Sequence, residues 1–335
     1  MYKNKTLIIA EIGCNHNGNF KLALKHIDEA IKAGANAVKF QIFKPENLVS
    51  KNTSKAPYAL KMTKSFKDQL TMQKKIMFNF EYFIKLKNYC KKKKIEFLCS
   101  AFDLDSLHFL KKIGVNKFKI PSGEIDNIPY LKQISDYKKE IILSTGMSNL
   151  AEIKNALKIL SKKISKNKIS LLHCVSIYPT HEKNINLNTI KFLNDKFRLN
   201  VGLSDHTTSL IVPALAVTNG ATIIEKHFTL NKNWQGPDHA MSLNPSEFKI
   251  MVNNIKVAEI SMGSYKKILT KKELDLKKHA RKSIVAKTTI NKGSTFTKEN
   301  LTIKRPGTGI PSSKIYNLYG KISKRNFKED QLIKL

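Results

Sequence analysis

Eight short apolar runs recur along the first two-thirds of the chain: Leu7–Ile12, Val38–Phe43, Ile95–Phe102, Phe118–Ile120, Ile141–Ser144, Leu171–Ser176, Val201–Ser204 and Thr222–Glu225. The early ones are continuous rather than alternating, the pattern of strands buried on both faces. Helical spacing follows most of them. Leu22, Ala23, Ile27, Ala30 and Ile31 form one apolar stripe, and Ser148-Asn149 stands where an N-cap belongs before Leu150–Leu160. Pro213–Val217 and Phe248–Ile260 serve after the last two runs. Eight strand–helix units in one domain predict a closed (β/α)8 TIM barrel. One connection breaks the rhythm. Lys44–Lys74 is long and polar, ahead of a helix expected around Phe78–Lys94, and is expected to form a lid or contact arm over positions 45–75.

After about Gly263 the pattern changes. Tyr265–Lys282 reads as a lysine-rich helix or linker. From Ser283 short β-rich runs alternate with turns at Asn291-Lys292-Gly293 and Arg305-Pro306-Gly307, then a small helix near Ser313–Tyr319. The expected organisation is a barrel over 1–265, a linker over 266–280 and a small all-β module over 281–335. A module of that size is marginal alone, so it is expected to pack on another surface.

A barrel puts its working groups at the C-terminal ends of its strands. All eight predicted ends carry polar or ionisable residues: Glu11; Lys39 and Gln41; Ser100; Lys119, Ser122 and Glu124; Ser144; Ser176 and Tyr178; Ser204 and His206; His227. His206 and His227 fall at matching ends of neighbouring strands, with Asp238 nearby. Two such imidazoles can hold a divalent metal and leave positions open for substrate. Two lysines with five serines suit a phosphate plus a carboxylate. Glu11 and Glu124 are available for proton handling or sugar hydroxyls. Glu11 has a second reading, as a structural carboxylate that holds Lys39 or Lys119 in place. Together these residues indicate a metal-assisted reaction of an anionic phosphorylated compound with a polyol.

Net charge changes this picture little. Sixty Lys and Arg against 26 Asp and Glu give +34, but the excess is mostly lysine spread along the chain. Without a zinc-finger, helix-turn-helix or aromatic-flanked basic motif, specific nucleic-acid binding is not expected. A positive field would instead draw in anionic small substrates. Cys14, Cys90, Cys99 and Cys174 form no Cys-x-x-Cys spacing and read as buried small side chains. No apolar run approaches a membrane span, and the N-terminal run reaches Glu11 at once, so it reads as a first strand. The expected compartment is the cytoplasm.

The stretches IIAEIGCNHNG, AVKFQIFKPENLVS, FKIPSGE, ILSTGM, LLHC with SIYPT, GLSDHT, IEKHFTL and GPDHA resemble, collinearly, the sialic acid synthase family. SIVAK, GSTFTKENLTIKRPG and LYGKI resemble the antifreeze-like (SAF) module these synthases carry. The resemblance implies a transferase of carbohydrate biosynthesis that condenses phosphoenolpyruvate with an N-acetylated aldose and water, giving a nine-carbon 2-keto acid and phosphate. It implies Mn2+ on His206 and His227, with Mg2+ or Co2+ as alternatives. It assigns phosphoenolpyruvate contacts to Lys39, Ser100, Lys119, Ser122, Ser144, Ser176 and Ser204, and sugar contacts to Gln41, Glu124, Tyr178 and Asp238. It makes Arg305 the arginine offered to the sugar of the partner subunit in a domain-swapped homodimer.

N-acetylmannosamine, giving N-acetylneuraminate, is the first expectation for the sugar. A 2,4-diacetamido-trideoxy hexose, giving legionaminic acid or less readily pseudaminic acid, is the alternative. Two other classes compete: a non-catalytic sugar-binding barrel, and an aldolase that forms a Schiff base on Lys119.

Overall fold

The computed structural model describes residues 6–50, 53–54, 63 and 68–335. The chain divides into two compact units, Met1–Gly263 and Ser264–Leu335.

The first unit is a closed barrel of eight parallel strands in sequential order. The strands are β1 Leu7–Gly13, β2 Ala37–Ile42, β3 Glu96–Ala101, β4 Lys117–Ile120, β5 Glu140–Ser144, β6 Ile169–Cys174, β7 Asn200–Asp205 and β8 Ile223–His227. They lie within two residues of the sequence expectation at either end. The barrel helices are α1 Phe20–Lys32, α2 Phe80–Lys93, α3 Leu104–Lys112, α4 Ile128–Asp136, α5 Leu150–Leu160, α6 Asn188–Phe197, α7 Val212–Thr218 and α8 Pro245–Met262. Local chemistry starts several of them. Asn149 and Asn244 each close a capping box, with Glu152 and Glu247 respectively, and Asp103 caps α3 by accepting from Ser106 N. The connection between β2 and α2 holds short helices at Pro45–Leu48 and Gln69–Ile76. The middle of the expected arm lies outside the described residues.

The barrel interior is built in levels. Ile9, Ala37, Leu98, Ile142, Leu172 and Ile223 pack together as an apolar floor. Gly202 keeps β7 within that level, since a Cβ there would stand 2.3 Å from the Ile223 carbonyl oxygen. Two residues further along each of these strands, where the pleat returns to the same face, stand Glu11, Lys39, Ser100, Ser144, Cys174, Ser204 and Glu225, with Lys119 from β4; all are buried. Two residues further again come Gly13, Gln41, Gly146, Ser176, His206 and His227. The opposite strand faces pack against the helices in the main aliphatic core, which includes Ile8, Val38, Phe118, Leu143, Leu203 and Ile224.

The second unit pairs β9 Ser283–Ala286 antiparallel with β10 Leu301–Lys304. Further bridges join Ser283 to Pro311, Val285 to Leu332, Ile290 to Phe327 and Thr295 to Ile322. Its own core is built on Ile284, Ile290, Phe296, Leu301, Leu318, Phe327 and Ile333. The segment 266–280, expected as a linker, holds helix α9, Lys271–Ala280. The end of that helix joins the module: Lys278 O accepts from Gly307 N at 2.7 Å, and Ala280 O accepts from Arg305 Nε at 3.0 Å.

Candidate active site

The level above the apolar floor is a charged ring. Lys39 Nζ lies 3.0 Å from Glu11 Oε2 and 3.5 Å from Glu225 Oε1, and it donates to Ser100 Oγ at 3.2 Å. Lys119 Nζ lies 3.4 Å from the same Glu225 oxygen, to which Ser204 Oγ donates at 3.0 Å. Gln41 Nε2 donates to Glu11 Oε1 at 2.8 Å. Two lysines and two glutamates thus share a closed space, where a charge survives only if paired. Burial would raise Glu225, but Lys119 and Lys39 hold it down at about 2. Burial leaves Glu11 above the ordinary carboxylate range despite Lys39. Burial works against the Lys39 ammonium too, yet Glu11 and Glu225 raise its pKa. Lys119 falls below the ordinary lysine value, because burial and Lys39 outweigh Glu225.

One level higher, His206 and His227 face each other with ring centroids 5.6 Å apart. Tyr178 lies over His206 at 4.2 Å and edge-on to His227 at 6.4 Å. His206 Nδ1 donates to Val175 O at 2.7 Å, which orients the ring so that Nε2 is the nitrogen available to a ligand; burial works against its imidazolium, yet Cys174 and Val175 O raise its pKa. Burial and the neighbouring positive groups keep His227 neutral, well below its ordinary pKa, and its buried Nδ1 has no hydrogen-bond partner among the described residues. Asp238 Oδ2 stands 4.0 Å from that nitrogen. Burial and the charge of Glu11 push Asp238 up to about 7. Among the described residues no three His, Cys, Asp or Glu side chains are grouped to hold a metal ion. The neutral His227 offers a ring nitrogen as it stands and His206 can offer Nε2 once it gives up its proton, so the pair fits a divalent ion as a two-nitrogen set, with its remaining positions left to other donors.

Gly146 lies where three polar side chains converge. A Cβ there would fall 2.2 Å from Ser176 Oγ, 2.8 Å from Ser122 Oγ and 3.1 Å from Cys174 Sγ. Gly146 N donates to Ser122 Oγ at 2.9 Å, and Ser144 Oγ is buried without a hydrogen-bond partner among the described residues. Glu124, at the end of a 3-10 turn over Ser122–Glu124, accepts from Asn127 Nδ2 at 2.6 Å. An open cavity of 1090 Å³ adjoins this corner through Thr145, Cys174 and Ser176, but neither histidine nor either lysine lines it.

The structure thus brings together the barrel residues expected from the sequence. Arg305 belongs to the second unit, where it is exposed in the turn after β10. Two members of the site escaped the sequence reading. Glu225 is the shared counter-ion of both lysines. Cys174 approaches both His206 Nδ1 and Ser176 Oγ at 3.9 Å. Each sits two residues before a residue that was singled out, His227 and Ser176, and strand parity alone would have pointed to both.

Comparison with known proteins identifies the group to which a barrel carrying this polar crown, followed by a small β module, belongs. The NeuB family matches residues 26–267 and the SAF domain matches residues 281–335. The chain belongs to the NeuB family, the nonulosonic acid synthases. It is 47% identical over 331 residues to N,N'-diacetyllegionaminic acid synthase of Campylobacter jejuni, covering 98% of this chain and 99% of that one. It is 42% identical to the enzyme of the same name from Legionella pneumophila, covering 93% of this chain and 89% of that one. Among solved structures, the N-acetylneuraminic acid synthetase of Leptospira borgpetersenii in complex with citrate superposes with a TM-score of 0.73 at 37% identity. It covers 82% of this chain and 90% of that chain.

Proposed function

We propose that this enzyme condenses phosphoenolpyruvate with a 2,4-diacetamido-trideoxy hexose and water, forming N,N'-diacetyllegionaminic acid and phosphate. The observation that carries the reaction type is the charged ring beneath the histidine pair: two buried lysines within reach of one carboxylate, bordered by serine hydroxyls. The sugar is supported by the two relatives at 47% and 42% identity, both diacetyllegionaminic acid synthases. That support reverses the order expected from the sequence, which placed N-acetylmannosamine first.

In this reading Lys39 and Lys119 receive the anionic groups of phosphoenolpyruvate. Ser100, Ser122, Ser144 and Ser176 donate hydroxyl hydrogen bonds to its oxygens, and Ser204 does so when its hydroxyl turns from Glu225. Gln41, Glu124, Tyr178 and Asp238 orient the open-chain sugar so that its aldehyde carbon meets carbon 3 of phosphoenolpyruvate. Water adds at carbon 2, and phosphate leaves from the resulting tetrahedral carbon. Glu11 holds Lys39 in place, and its raised pKa suits it to take the proton of that water. A divalent ion, Mn2+ first, held by His206 and His227 would supply Lewis-acid polarisation of the aldehyde oxygen. The lowered Lys119 also suits Schiff-base chemistry. Borohydride trapping with substrate leaves Lys119 unmodified if the condensation reading holds. Arg305 serves the N-acyl group of sugar bound to a partner subunit, in a homodimer.

The deciding assay follows phosphate release from phosphoenolpyruvate with Mn2+ and each sugar. The expected outcome is a higher kcat/KM for the diacetamido hexose. A higher value for N-acetylmannosamine would return the enzyme to N-acetylneuraminate synthesis, and release with neither would refute the condensation.

A further inference from the structure

The two imidazoles are tied together by a device on the other side of the barrel wall. β7 pairs with β8 through the rungs Ser204↔Glu225 and Asp205↔Lys226, and the ladder ends there. His206 is therefore one residue beyond the last rung, and the backbone ladder no longer sets its distance from His227. On the outward face of that last rung, Lys226 Nζ lies 2.6 Å from Asp205 Oδ2. The same ammonium donates to Thr207 O and, at 3.4 Å, to Thr207 Oγ1. Asp205 in turn accepts from Thr207 N at 2.9 Å and from Thr207 Oγ1 at 3.1 Å. The residues before and after His206 are thus both bonded to one cation of β8, whose next residue is His227. Both partners of the pair are 0% exposed.

Stability does not account for this pair. A buried ion pair is often no better than apolar residues of the same volume, because desolvation offsets the attraction. A shared ion, in contrast, needs its ligands placed within about 0.5 Å. We propose that Asp205 and Lys226, with Thr207, are positioning residues that set the separation of His206 and His227 for a common divalent ion. This rests on the reading of the two histidines as metal ligands. Lys226 does not touch substrate. It acts through the backbone on either side of His206, as the inward Ser204–Glu225 contact does from the other face of the preceding rung.

The test uses the full-length protein and metal ions alone. The double variant Asp205→Asn/Lys226→Met leaves no buried charge and keeps an amide for Thr207, but cuts the tie to β8. Melting, Mn2+ calorimetry, the visible spectrum of bound Co2+ and metal-free phosphoenolpyruvate binding are compared with wild type. The expected result is unchanged melting and phosphoenolpyruvate binding, a Co2+ spectrum of altered shape, and metal affinity lowered by about 10–100-fold. If that variant does not fold, Asp205→Leu/Lys226→Met replaces the pair by apolar volume and is read the same way. A folded variant with wild-type metal affinity and spectrum overturns the proposal and leaves the pair a fold element only. If wild type itself binds neither ion while binding phosphoenolpyruvate, the metal reading falls, and the proposal with it.

Discussion

Gly146→Ala separates folding from function at one atom. The Gly146 φ lies outside the left-handed region, so no backbone strain opposes alanine. What opposes it is space: the new methyl would lie 2.2 Å from Ser176 Oγ and 2.8 Å from Ser122 Oγ. Serine hydroxyls move by one χ1 rotation, so the protein can make room at little cost to folding. The rotated hydroxyl then no longer reaches an oxyanion. A hydrogen bond to a charged group contributes roughly 1.5–3 kcal/mol, so each displaced serine lowers binding by roughly ten- to a hundred-fold. Steady-state kinetics should show kcat/KM for phosphoenolpyruvate falling by at least the lower figure, with melting close to wild type. A double-mutant cycle tests the cause. In a Ser176→Ala background the methyl has one hydroxyl fewer to evict, and Gly146→Ala should cost less than it does alone. Full additivity, or unchanged kcat/KM in the single variant, would refute the assignment of these hydroxyls to the anion.

EDTA should abolish activity and Mn2+ restore it, whereas His206→Ala and His227→Ala should each resist restoration; full activity in metal-free buffer refutes the histidine-pair reading. Arg305→Ala should weaken the acylated sugar more than phosphoenolpyruvate. Mixed with His206→Ala under subunit exchange it should recover about a quarter of wild-type activity, since random pairing of a C2 dimer makes about half the dimers mixed, each with one intact site; no recovery despite proven exchange refutes action across subunits. Burial holds His26 at about 4, His16 at about 3 and His239 at about 4, all below the ordinary 6.5. The unfolded chain therefore takes up these protons first, so their contribution is complete above pH 6.5 and is lost as pH falls toward 4 and 3. For His26 the loss between pH 6.5 and about 4 amounts to about 3 kcal/mol, and urea unfolding of His26→Gln should show a fall in stability over that range smaller by that amount; an unchanged fall excludes it.

The barrel was legible because buried parallel strands are continuous apolar runs, and the ends of those runs are where polar residues become tolerable. The histidines were legible for the same reason, lying past Val201–Leu203 and Ile223–Ile224. Glu225 and Cys174 were not, since each lies inside its run and was taken as part of the strand. Their parity with His227 and Ser176, two residues on, was the available signal that their faces point into the interior. Asp205 and Lys226 were hidden differently. Both adjoin a histidine in GLSDHT and IEKH, and the histidines drew the reading inward while these two side chains face the helices. Cross-strand register decides that pairing, and periodicity carries no register. The second unit was legible in its turns, Asn291-Lys292-Gly293 above all, but its core residues are spread from Ile284 to Ile333 at irregular intervals.

The ring of Glu11, Glu225, Lys39 and Lys119 already sets two carboxyl groups against two amines before any ligand arrives. An incoming anion therefore does not fill an empty positive site. It competes with two resident carboxylates for the same ammonium groups, so its binding is an exchange of counter-ions. Part of the attraction of each lysine is already committed, which, in the proposed reaction, weakens the hold on released phosphate. On that reading the glutamates act as built-in competitive ligands, holding the lysines in place between turnovers and lowering the net gain when an anion binds.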